Sequence, residues 1–153
     1  MAKYEKYAEY KDSGVKWFGS IPEHWSSFLF KRVVANIKDG THGTHARVEN
    51  GELLLSAKNV FNNGIEIGEN ESYIPFKDYE EITSNGFPKK GDILVTCVGT
   101  IGRSFVYPFD KSLAFQRSVS FMRLNKKGNP QFYKYFLCTR QISYSPCPIR
   151  LFL

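Results

Sequence analysis

The residues closest to a reactive set in this sequence lie in one short loop, Asp39-Gly40-Thr41-His42-Gly43-Thr44-His45. His42 and His45 are three apart, with Asp39 close by, and together they offer three metal donors. No fourth ligand follows at a plausible spacing, and a glycine-rich loop does not fix two imidazoles as a helix face would. The same loop also suits an anion. Glycine and threonine expose N–H groups and hydroxyls and a cation follows, so Thr41, His42, Thr44 and Arg47 are candidate phosphate contacts. An ordinary surface loop accounts for the composition equally well.

Gly99-Thr100-Ile101-Gly102-Arg103 looks like a phosphate cradle only in its glycines. No GxxxxGK[ST] follows, and a tight hairpin turn explains both glycines. A hairpin tip carrying Arg103 and Ser104 nevertheless has the right shape to enter a groove. Gln116 and Arg117 place an amide beside a guanidinium, the pair that bonds adenine and guanine edges bidentately. Capping the strand that follows is their competing role. Asn59, Asn62 and Asn63 can also read bases, although asparagine-rich turns are common. Lys58 completes the set of candidate contacts.

Catalytic groups are missing by the same kind of reading. The sequence holds no Gly-x-Ser-x-Gly elbow, and Cys97 has no histidine partner near it. It lacks the closely spaced carboxylates with a lysine that metal-assisted hydrolysis of a nucleic acid would use. It also lacks both the glycine motif and the (Asn/Asp)-Pro-Pro-(Tyr/Phe) motif of adenine methyltransferases. The expectation is a protein that binds rather than one that makes bonds, with no cofactor.

The 153 residues suffice for one domain with a hydrophobic core. Hydrophobic residues make up 42% and charged residues 24%, which excludes disorder along the whole chain. Aromatic residues, at 16%, favour sheet. No apolar run approaches the roughly 20 residues that span a bilayer, and the polar N-terminus lacks a secretory signal's apolar stretch. Cys97, Cys138 and Cys147 form no CxxC pair, so a reducing cytoplasm and a packed thiol at Cys97 are expected. The net charge of +6 is unevenly spread: residues 61–86 are strongly acidic and residues 87–153 strongly basic. That asymmetry points to a polyanionic partner, with one face of the fold positive.

The elements that would position these residues are short. Tyr4, Tyr7 and Tyr10 are compatible with a turn or two of helix in a lead-in over residues 1–14. Gly19 and Pro22 forbid a regular element over residues 15–25, which Trp17 and Trp25 should pin to a core. Strands are expected around Phe28 and Phe30, over residues 33–37 and 53–57, around Ile65 and Ile67, and over residues 118–124. Residues 91–107 read as a hairpin with a two-residue type II′ turn at Gly99-Thr100. Residues 77–84 suggest a helical turn. Asn129-Pro130 caps a helix whose apolar face is Phe132, Tyr133, Phe136 and Leu137, ending by about Arg140. The fold class is α+β: strand-rich, barrel-like, with few short helices.

Several of these segments, in order, resemble the specificity subunit of type I restriction-modification systems. They are Tyr10-Lys11-Asp12-Ser13-Gly14-Val15-Lys16-Trp17-Phe18-Gly19-Ser20-Ile21-Pro22-Glu23-His24-Trp25, then Ile37-Lys38-Asp39-Gly40-Thr41-His42, then Leu54-Leu55-Ser56-Ala57-Lys58-Asn59-Val60. Gly91-Asp92-Ile93-Leu94-Val95 followed by Gly99-Thr100-Ile101-Gly102 is similar to that family's most recurrent hairpin. The resemblance implies a single N-terminal target-recognition domain over residues 15–140. Such a domain reads half of a split double-stranded DNA target. It works with a methyltransferase (modification) subunit and a restriction subunit that supply the chemistry. The family pattern continues into a long helical spacer, whereas residues 141–153 form a short unrelated tail, so the domain is expected to be truncated before the spacer. An interaction protein that contacts modification or specificity subunits without a strong DNA preference is the alternative.

Overall fold

A computed structural model describes residues 6–15 and 19–138, and the backbone of residues 150–152. The chain divides into two compact units, residues 1–32 with 145–153, and residues 33–144.

In the smaller unit, β1 (Tyr10–Asp12) pairs antiparallel with β2 (Ser20–Pro22), Lys11 facing Ile21. Tyr10 is therefore in a strand rather than a helical turn, and Tyr4 lies outside the described residues. Gly14 and Gly19 adopt φ of 69° and 74°, which only glycine takes cheaply, and so they let this segment return on itself. That return builds a regular strand where Gly19 and Pro22 argued against one. Pro22 is tolerated because it closes a two-stranded ribbon that needs no further donor. Val15 and Ile21 form a small buried cluster with Trp25 packed on it, the anchoring role expected of that side chain. Trp17 lies outside the described residues. β3 (Ser27–Leu29) pairs with β13 (Arg150–Phe152). Residues 139–149 and 153, which hold Arg140, Cys147 and most of the expected tail, are also outside the described residues.

The larger unit is built on a four-stranded sheet of order β10 (Ser104–Val106), β9 (Ile93–Thr96), β12 (Val119–Leu124), β4 (Val34–Asp39) and a three-stranded sheet of order β11 (Ala114–Phe115), β5 (Glu52–Leu55), β8 (Tyr73–Ile74). β12 is central, antiparallel to both β9 and β4. Its alternation is as the sequence suggests, with Val119 and Phe121 turned into the core. There they meet Leu55, Phe87, Leu94, Tyr107 and Phe115. β5 runs parallel to β11 and antiparallel to β8. Of the strand expected around Ile65 and Ile67, only Ile65 is in one, in a short ribbon of β6 (Val60–Phe61) and β7 (Gly64–Ile65), and Ile67 lies beyond it, exposed. Among the described residues the sheets stay open, and no barrel closes.

The β9–β10 hairpin is present, with β10 at Ser104–Val106, but its turn differs from expectation. Seven residues, 97–103, connect the strands. Thr96 closes this wider loop with its side chain, which accepts from the Arg103 N–H and donates to the Thr100 carbonyl. Cys97 sits exposed at the start of the loop rather than packed in a strand.

Asp92, just before β9, is buried and receives both arms of Arg123, at 2.8 and 2.7 Å, and the Lys89 N–H at 2.6 Å. The Arg123 guanidinium also lies 3.9 Å over the Phe87 ring. A buried carboxylate so paired locks the start of β9 to the end of β12.

α1 (Phe76–Thr83) is a full helix of eight residues where one turn was expected, held by buried Tyr79, whose hydroxyl donates to the Ser112 carbonyl. α2 (Pro130–Leu137) starts as the sequence indicates: Asn129 Oδ1 accepts from the N–H of Gln131 and Phe132. It buries Tyr133 and Leu137. No helix among the described residues is long and apolar enough to cross a membrane.

Candidate nucleic-acid interface

Residues 39–47 leave the end of β4 and close against the segment that joins β11 to β12. The Thr41 N–H donates to the Phe115 carbonyl at 2.8 Å and the Arg117 N–H to the Thr41 carbonyl at 3.0 Å, making a parallel bridge between Thr41 and Gln116. Gly40 makes this approach possible. A Cβ at that position would collide with the carbonyl oxygens of Phe115 and Gln116. Glycine here is thus a packing requirement.

The bridge gathers residues separated by some seventy positions into one groove of about 340 Å³, lined by Thr41, His42, Thr44, Arg47, Gln116 and Arg117. Six of the nine candidate contacts meet there. Among the described residues the Gln116 amide and the Arg117 guanidinium have no side-chain partner, and Arg117 is exposed. His42 is 4.0 Å from Asp39, and Arg47 folds back to donate to the His45 carbonyl at 2.9 Å. The groove therefore presents an unpartnered amide donor and acceptor, an unpartnered guanidinium and a hydroxyl loop, a set that matches base edges and phosphate oxygens.

His45, read from the sequence only as a possible ligand, has a different position. Its ring is largely buried, with Nδ1 3.0 Å from Asp78 Oδ2 and Nε2 2.9 Å from Thr41 Oγ1. The Thr41 hydroxyl in turn accepts from the Gly43 N–H at 3.1 Å. With Nδ1–H donating to the carboxylate, Nε2 accepts from threonine, and the loop is tied to α1. The acidic segment thus sends one carboxylate back to brace this loop. Nothing in the sequence pattern pairs residues 45 and 78. No group of three His, Cys, Asp or Glu side chains converges among the described residues.

Three candidates lie elsewhere. Ser104 is fully buried and its hydroxyl donates to the Lys134 carbonyl at 2.8 Å, so it joins β10 to α2 and offers nothing to a duplex. Arg103 turns inward, its guanidinium 4.3 Å over the Phe61 ring and donating to the Val60 carbonyl. Lys58 remains exposed but pairs at 2.9 Å with Glu71, whose carboxylate is buried and also bonded by Asn59 and the Gly68 N–H. Asn59 is buried in this knot, and Asn62 accepts from the Ser104 N–H, so these two asparagines act as turn residues.

Among the described residues of the larger unit, positive charge is not gathered on one face. Arg117 and Arg47 sit at the end of the four-stranded sheet where β12 begins. Lys89, Lys90 and Lys126 line a separate groove of about 440 Å³ where β12 ends, and Lys127 follows.

No protein-family model and no curated protein sequence matches this chain. Several chains of solved structures share its fold. One is the HsdS subunit from Thermoanaerobacter tengcongensis, with a TM-score of 0.54 and 14% identity, aligned over 92% of this chain and 32% of that one. Another comes from a structural study of complex assembly and conformational transition in the type I R-M system. Its TM-score is 0.61 at 13% identity, covering 94% of this chain and 36% of that one. The chain spans about a third of the length of each.

Proposed function

We propose that this chain is a non-catalytic DNA-binding module that recognises one half of a bipartite duplex target for a type I restriction-modification complex. The observation that carries the reading is the groove in which Thr41, His42, Thr44, Arg47, Gln116 and Arg117 meet. Its two reading side chains, Gln116 and Arg117, have no partner among the described residues. The ordered sequence segments and the fold shared with the HsdS subunit support the same assignment. In this reading methylation and cleavage belong to other subunits, and this chain contributes selection.

Competition gel shifts over a randomised duplex library test it. R47A should weaken binding to every sequence and lower the salt slope by about one. Q116A should instead relax preference at a single base pair, by about 1–3 kcal/mol. Duplex binding that does not respond to salt overturns the proposal.

A further inference from the structure

The loop over residues 97–103 has two exposed aliphatic side chains, Val98 at 57% and Ile101 at 64% exposure. Single exposed aliphatics are ordinary. Two on one short loop call for a cause, because this loop is not slack. The Thr96 side chain bonds it from inside, the Gly102 N–H donates to the Thr96 carbonyl at 3.0 Å, and the Cys97 N–H donates to the Ser118 carbonyl at 2.9 Å. The last of these bonds seats the loop beside the segment Gln116-Arg117-Ser118, so Val98 follows directly on a residue held against the reading segment. The loop contains no carboxylate, and its one charged side chain is the cation Arg103.

A duplex presents one apolar group in its major groove, the C5 methyl of thymine, which is read by apolar side chains beside the polar readers of neighbouring base edges. We infer that Val98 and Ile101 form an apolar reader of thymine methyl groups, set next to the polar reader of Gln116 and Arg117. This inference rests on the duplex-binding reading above and adds the chemistry of one part of the target. The expected tip residues Arg103 and Ser104 are turned inward, and these aliphatics are exposed on the loop in their place.

Replacing thymine by uracil removes the methyl and leaves every hydrogen-bonding group of the base unchanged. On the preferred duplex, uracil at the contacted position should weaken wild-type binding by about fourfold per methyl. V98A and I101A should each weaken binding to the thymine duplex and lose part of the penalty for uracil, and the double variant should be blind to the exchange. Thermal unfolding of these surface variants should match wild type. Salt-dependent duplex binding that is indifferent to uracil at every position overturns this inference and leaves the duplex-binding reading intact. Absence of salt-dependent binding removes both. If V98A and I101A instead abolish self-association in sedimentation and leave the uracil penalty unchanged, the patch is a contact between copies and the inference fails.

Discussion

Lys58 shows how a plausible contact residue is reassigned by its partner. Burial alone would push the Glu71 carboxyl up. Hydrogen bonds from Lys58, the Gly68 N–H and Asn59 outweigh that and hold it below its ordinary value of 4.5. A carboxyl whose folded pKa is depressed contributes stability above its unfolded pKa and loses it as pH falls through the folded one. K58A removes one of the groups holding that value down, so the acid-unfolding midpoint followed by far-UV circular dichroism should move to higher pH. The salt slope for duplex binding should stay that of the wild type. A lowered slope with an unmoved midpoint would return Lys58 to the interface. Ser104 makes a similar case: S104A should cost about 1 kcal/mol in urea unfolding, through the lost bond to the Lys134 carbonyl. Duplex affinity should not change, and a drop in affinity without a drop in stability would contradict its burial.

At the scale of elements, the loop over residues 39–47 owes its shape to two neighbours far away in sequence, the β11–β12 connection and α1. His45 and Asp78 are the tie to α1. H45A and D78N should each blunt base discrimination without lowering the salt slope, since neither side chain lines the exposed mouth of the groove as a cation. The double variant should do little more than either alone, because one interaction is removed twice. Additive losses would show that the two residues act separately. Local signals did mark several elements. Asn129-Pro130 fixed the start of α2, and the alternation over residues 119–124 fixed β12. The β9–β10 turn escaped because Thr96, counted as an ordinary strand residue, supplies the side-chain bonds that close a seven-residue loop.

For the molecule as a whole, the placement of charge matters more than its sum. β12 is roughly 17 Å long at about 3.4 Å per residue, and it separates the groove of Gln116 and Arg117 from the lysines beyond its far end. The double variant K126A and K127A should therefore leave the preferred sequence unchanged at every position of a randomised library. Any loss of affinity should be equal across sequences. A changed preference would mean that the reading surface lies at the lysine end.

Composition, apolar alternation and capping residues, all local properties, determined the α+β class, the central strand, the second helix and the lack of catalytic motifs. They also supplied the residue types of the proposed duplex reader, because an amide beside a guanidinium and a glycine-threonine loop are visible one residue at a time. Which of those residues face the same groove was decided only when β12 and β11 met β4, since a bridge between Thr41 and Gln116 spans a separation that no periodicity encodes. Tertiary contact likewise turned Arg103 and Ser104 inward, left Val98 and Ile101 outside, and gave His45 a carboxylate from the acidic helix. Each of these depends on burial and on a partner distant in the chain, and both exist only once the sheets have packed.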